Sequence, residues 1–156
     1  MSAKGQGFSF DFMIAVSVFL LAIGLVFFYW QYSNLQLEET KILNDMFDKS
    51  VLASQVWFKT GVPQDWNESN VQDVGLKGDH EFSGIKMERL NSLGYQKFKS
   101  LAGLETYDVY YRLYNETNST IYEFGNYPIN SRNVVRLERY GLYNNSIAIL
   151  EAIVWA

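Results

Sequence analysis

Few residues in this chain have chemistry to offer, and they are scattered. The only histidine, His80, stands in Asp79-His80-Glu81, two or three potential metal ligands in a row. Three adjacent side chains cannot all converge on one ion, and no second cluster completes a shell. A hydrolytic triad would need that histidine beside a serine in a Gly-x-Ser-x-Gly turn, and no such turn occurs. No carboxylate pair is singled out for glycoside hydrolysis, and no P-loop or dinucleotide fingerprint is present. With no cysteine, disulfides, thiolate metal sites and cysteine nucleophiles are all excluded. The sequence therefore points away from an enzyme and implies no cofactor and no metal. What remains are four acceptor motifs for asparagine-linked sugar: Asn67-Glu68-Ser69, Asn115-Glu116-Thr117, Asn118-Ser119-Thr120 and Asn144-Asn145-Ser146.

The elements that must present these residues begin with an apolar run. From Phe12 to Trp30 the only side chain that is not apolar is that of Ser17. As a helix rising ~1.5 Å per residue this run covers about 28 Å, close to the ~30 Å hydrocarbon core of a bilayer. A secretory h-region is shorter, about 7–15 residues, and precedes a small-x-small cleavage site. Here Trp30-Gln31-Tyr32-Ser33-Asn34 follows instead, so the run reads as a retained anchor with Tyr29, Trp30 and Tyr32 as an interfacial belt. Lys4 precedes the span, whereas Glu38, Glu39, Asp45 and Asp48 outnumber Lys41 and Lys49 after it. The positive-inside rule then places the N-terminus in the cytoplasm and the C-terminal part outside, with all four acceptor motifs on the outer side. Gly24 within the run would be a soft point or a place of close helix approach. The net charge of −4, with basic residues interspersed among acids as in "RNVVRLERY", argues against a nucleic-acid partner.

Asp11 at the cytoplasmic edge of the span admits two readings. It is an acid favoured by the helix N-terminal dipole, with Ser9 suited to an N-cap, or it has a role in assembly. The second reading comes from a resemblance. Lys4-Gly5-Gln6-Gly7-Phe8-Ser9-Phe10-Asp11-Phe12, ahead of a long apolar helix, resembles the class III signal peptide of archaeal type IV pilin-like proteins. The resemblance implies a membrane-embedded class III signal peptidase cutting between Gly5 and Gln6, or between Gly7 and Phe8, with the helix retained. It also implies that Asp11 with Phe12 serves assembly, the carboxylate neutralising a neighbouring subunit's N-terminal amine. One extra residue between the glutamine and the serine makes Asp11 the sixth mature residue after the first cut. The second cut would make it the fourth.

Residues 31–60 carry neither proline nor glycine, and Leu35, Leu43, Met46, Phe47, Val51 and Ser54 recur at three- and four-residue steps. One helix from about Phe8 to Phe58 is expected, ending at Gly61 and Pro63. Beyond it, "GIKMERLNSL" and "YQKFKSLAGL" have helical spacing with Gly103 as C-cap. From Thr106 the period becomes two: "TYDVYYRLYN", "IYEFGNYP", "NVVRLERYGLY" and "SIAILEAIVW" read as strands, the last two joined at Asn144-Asn145. The fold class expected is α+β: a long N-terminal helix, transmembrane and then amphipathic, packed on a four-stranded antiparallel meander, with short helices between. The sheet tyrosines (Tyr107, Tyr110, Tyr111, Tyr114, Tyr122, Tyr127, Tyr140 and Tyr143) could stack on carbohydrate, but cross-strand packing would employ most of them.

"PQDWNESNVQDVGL" with "KMERLNSLGYQKFKSLAGLETYDVYYRL" also resembles a recurring head pattern of archaeal membrane-anchored, pilin-like proteins. Together the two resemblances divide the chain into a leader (1–5), a transmembrane and assembly helix (6–30), its amphipathic continuation (31–60) and an extracellular head (61–156). They imply a type IV pilin-like subunit of a cell-surface filament. Its partners would be the membrane, copies of itself or other pilin-like subunits, the signal peptidase and the pilus assembly platform. The alternative is a membrane-anchored extracellular binding protein that forms no filament.

Overall fold

Between Gly24 and Gly61 the sequence holds no glycine or proline to interrupt a helix, and the helix there runs unbroken to Gln55. The computed structural model describes the backbone of residues 4–131 and 133–156, with side chains from Phe10 onward. Helix α1 runs Lys4–Gln55, followed by a 3₁₀ turn at Val56–Phe58 and the left-handed Gly61. The chain divides after Ile42 into two compact units.

The first unit is helical, and its side chains from Phe10 onward are almost all exposed. Its apolar stretch is long enough to cross a membrane, and no part of it is buried within the chain. The Ser17 hydroxyl donates back to the Met13 carbonyl at 2.8 Å, so the run's serine carries its own acceptor. Phe27 and Trp30 meet edge to face with centroids 6.1 Å apart.

The second unit contains the last turns of α1, two short helices and one sheet. Helix α2 (Gly84–Leu93) starts at Ser83, whose hydroxyl accepts from the Lys86 amide, and α3 (Tyr95–Leu101) follows after Gly94. Ala102 is the C-cap of α3, and Gly103, expected in that role, follows it in the left-handed conformation at φ +66°. The strands are β1 (Asp108–Asn115), β2 (Thr120–Gly125), β3 (Val134–Tyr143) and β4 (Ser146–Trp155). Asn144 and Asn145, at φ +49° and +59°, make the two-residue turn between β3 and β4.

The fold class and strand count match expectation, but the strand order is not that of a meander. The sheet runs β2-β1-β4-β3, all antiparallel, so β1 pairs with β4 and β2 does not meet β3. Turn signals specify the two hairpins but not which strands of different hairpins meet. Burial decides that: β1 and β4 are the most apolar strands, and the central positions are the ones covered on both faces. The alternating β3 and the short β2 take the edges.

One sheet face carries Val109, Tyr111, Leu113, Leu150, Ala152 and Val154 into the main core, together with Met46, Ala53, Leu90 and Phe98. Trp57 is the hub, with edge-to-face partners Phe82, Tyr111 and Tyr122 at 5.4, 5.7 and 5.9 Å. The packed stripe of α1 keeps Met46 and Ser54 of the expected one but not Leu43 and Phe47. Met46, Ser50, Ala53 and Ser54 are buried, while Leu43 and Phe47 stay exposed. Small residues let this helix approach closely, and the two serine hydroxyls are satisfied by the carbonyls of Phe47 and Val51.

The end of α1 lacks a basic last turn, so its free carbonyls need other partners. They find them at long range. Tyr111 Oη donates to Ala53 O, Leu76 N to Val56 O, Lys77 N to Lys59 O and Lys86 Nζ to Thr60 O.

Candidate functional site

The residues singled out by the sequence fall into three places. Gly5, Gln6, Gly7 and Phe8 lie in the first turns of α1, where only the backbone is described. Asp11 and Phe12 follow one turn later, both exposed, with Phe12 the first of the uninterrupted apolar run. Phe28 is 74 % exposed, and Gly24 has no atom near the position a Cβ would take. Such a continuous apolar surface is stable only in lipid or against other protein.

The four acceptor asparagines are all in the second unit, and their settings differ. Asn67 lies in an exposed loop, its Oδ1 accepting from the Ser69 amide at 2.9 Å and the Ser69 hydroxyl at 2.6 Å. Asn115 ends β1 and is half-buried; its Oδ1 accepts from Thr117 N, Thr117 Oγ1 and Ser119 N. Asn118 sits in the following turn at φ +60°, and the hydroxyl of its Thr120 is held by Arg112 Nε at 2.9 Å. Asn144 stands at the β3–β4 turn, where the neighbouring Asn145 amide donates to Glu81 Oε2 at 3.0 Å.

His80 and Asp79 are exposed in the loop before α2 and line an open cleft of about 450 Å³ with the β3–β4 turn. Among the described residues, no three metal-ligating side chains converge there or elsewhere. The loop is fastened to the hairpin by Phe82 N donating to Leu142 O at 2.8 Å, and the Phe82 ring occupies the space left by Gly141.

The second cleft, of about 570 Å³, was not legible in the sequence. Asn67, Glu68, Ser69, Arg89, Ser92 and Lys97 line it. Arg89 Nη1 donates to Trp66 O at 2.7 Å and Lys97 Nζ to Glu68 O at 2.6 Å, so both cations hold the acceptor loop by main-chain oxygens. These residues come from a loop and two different helices, and no local spacing announces their meeting. Nearby, Lys86 is buried with its Nζ on Thr60 O and Lys77 O, and desolvation followed by the Arg89 charge draws its pKa below the usual lysine value.

The outer sheet face shows how the tyrosines are used. Tyr110 packs with Ile153 and Trp155 in a small second cluster and stacks edge to face on Tyr127. Burial, then the Glu123 hydrogen bond, pushes the Tyr110 hydroxyl up to about 12. Arg112 faces Glu123 on one side and Glu151 on the other, and Arg136 pairs with Glu151 at 2.9 Å. Tyr107, Tyr110 and Tyr111 are buried and Tyr114, Tyr122 and Tyr143 half-buried; Tyr127 and Tyr140 are exposed, Tyr127 with one edge against Tyr110. Comparison of the chain with known protein families, with curated proteins and with solved structures finds no match to any of them.

Proposed function

We propose that this chain is a type IV pilin-like subunit of an archaeal cell-surface filament, held in the membrane by α1 before assembly. The observation that carries the reading is α1 itself. Its apolar stretch is unburied and spans a bilayer's thickness, an exposed carboxylate stands at its start, and the same helix ends inside the core of an α+β unit. A helix that belonged to a soluble core would be covered, and assembly gives the Asp11 carboxylate a partner that a plain anchor does not. In the filament the apolar surface moves from lipid to the same surface of other subunits. Asp11 then meets a neighbour's N-terminal amine, so that neither charge is left unpaired. The second unit faces outward and carries the acceptor asparagines.

A second reading, an anchored extracellular binding protein without a filament, is favoured by the exposed Tyr127 and Tyr140. The experiment that separates them is the N-terminal sequence and intact mass of the protein from membranes and from sheared extracellular material. A start at Gln6 or Phe8 in sheared filaments supports the subunit reading. An intact Met1, found only in membranes, overturns it in favour of the anchored binding protein.

A further inference from the structure

Four acceptor motifs are not four equivalent sites, and the geometry points to one of them. We infer that Asn67 is the glycosylated asparagine of the folded chain, and that the cleft beside it seats an acidic sugar. The inference rests on the outward orientation of the second unit.

Transfer requires an accessible amide nitrogen and an acceptor segment outside the regular strands. The Asn67 main chain is held only by its own turn, with its amide on Asn70 Oδ1 and its carbonyl taking the Asn70 and Val71 amides. Asn67, Glu68 and Ser69 are all exposed and lie outside every helix and strand. The loop is nonetheless fixed at its base by Trp66, fully buried, whose Nε1 donates to Gly75 O at 2.8 Å. Within the loop the Asn67 oxygen accepts the Ser69 amide and hydroxyl, while its nitrogen carries no hydrogen bond. Two donors on the oxygen stabilise the charge that gathers there as the nitrogen gives up a proton, so the arrangement favours attack by Nδ2. In the transfer Nδ2 bonds to C1 of the sugar of a lipid-phosphate-linked oligosaccharide. The bond from C1 to the phosphate oxygen breaks, the lipid phosphate leaves with the electron pair, and the amide proton passes to a base of the transferring enzyme.

The Asn118 and Asn144 motifs are as exposed as that of Asn67, but each of the other three shares a residue with a strand. Asn115 has a similar oxygen but belongs to β1, and its own amide donates to Ser119 O at 3.0 Å to close the hairpin. Thr120, the hydroxyl residue of the Asn118 motif, is already in β2 and bonded to Arg112. The Asn144 motif ends on Ser146, the first residue of β4, and its middle residue is tied to Glu81.

The chemistry of the sugar follows from the cleft. Its volume of about 570 Å³ lies within the roughly 300–1,000 Å³ of small-ligand sites. It is lined by two cations, Arg89 and Lys97, and one carboxylate, Glu68, with Ser92, whose hydroxyl donates to Glu88 O at 3.2 Å. Each cation spends a donor on a main-chain oxygen and retains others. A sugar carrying a carboxylate or sulfate would complete this set as a neutral one would not.

The test uses full-length protein isolated from its own membranes, with glycopeptide masses for wild type, Asn67→Gln, Ser69→Ala and Ser69→Thr. Glycan on the Asn67 peptide is expected, lost in Asn67→Gln and Ser69→Ala and kept in Ser69→Thr. Its mass should shift on esterification or desulfation. A Tm difference between wild type and Asn67→Gln that shrinks in a Lys97→Gln background, and at high salt, supports seating in the cleft. Glycan confined to Asn115, Asn118 or Asn144, or a neutral glycan at Asn67, overturns the inference. Protease added to intact cells separates the two levels. A bare Asn67 on a digestible head sinks this inference alone, whereas a bare and protected head sinks the outward orientation.

Discussion

The hydroxyl of Tyr111, fully buried on β1, donates a 2.8 Å hydrogen bond to the carbonyl of Ala53 in the last turns of α1, fifty-eight residues earlier. Burial drives the phenol's pKa well above its ordinary value, so it remains a donor at any pH the fold survives. Tyr111→Phe keeps the ring among Trp57 and Phe98 but leaves a buried carbonyl without this donor. The expected cost is about 1–3 kcal/mol, read as a lower urea midpoint with an unchanged slope. No loss would mean that the Ala53 carbonyl finds another partner.

A second test lies where two backbones touch. A Cβ on Gly75 would sit 2.2 Å from Gly61 N and 2.4 Å from Lys59 O, both main-chain atoms that cannot rotate away. Gly75→Ala should therefore force apart the segment that closes α1 and that receives the Trp66 indole, costing roughly 1–3 kcal/mol or more. The check is a thermal melt of the variant beside Gly78→Ala, where the nearest atom is 3.3 Å away and the loss should be smaller.

Acid stability should depend on Asp108. The Lys99 ammonium, at 2.8 Å, together with the Tyr95 hydroxyl, holds this carboxyl below the usual carboxylate range, against the opposing effect of desolvation. A lowered folded-state pKa contributes stability that is fully present above the unfolded value of about 3.9 and lost as pH falls through the folded one. Wild type should lose stability below about pH 4 through this group, and Asp108→Asn should be less stable at pH 7 yet flatter on the acid side. Denaturation midpoints at pH 7 and pH 3 measure it. Parallel curves for the two proteins would remove Asp108 from the account.

Much of this architecture could be read from periodicity, and what could not has physical reasons. The α1 span, the α2 and α3 helices and all four strands follow from local spacing and from Gly103, Asn144 and Asn145 at their turns. The β1–β4 pairing did not, because Tyr111 opposite Ala152 is a choice among buried surfaces that no turn residue encodes. The contacting stripe of α1 was legible only in part, at Met46 and Ser54, for a related reason. Leu43 and Phe47 are the larger apolar residues, but Ser50 and Ala53 are small enough to meet the sheet. The cleft at Asn67 depends on Arg89 and Lys97 arriving from α2 and α3, a meeting that exists only after folding.

The last prediction concerns Asp11, the residue on which assembly is proposed to turn. At the end of the apolar run rather than its middle, its carboxylate costs less than the ~2.5–3.5 kcal/mol of a mid-membrane charge, so Asp11→Ala should insert at least as well as wild type. The same change leaves a neighbour's N-terminal amine without its counter-charge once lipid is replaced by protein. Breaking a buried pair from one side costs about 3–5 kcal/mol, enough to shift a subunit-by-subunit equilibrium by more than a hundredfold. Asp11→Ala and Asp11→Asn should therefore accumulate in membranes with few or no filaments, and Asp11→Glu should restore part of the yield. Filament counts and the membrane content of each variant decide it. Wild-type filament numbers from Asp11→Ala would remove the acid from assembly.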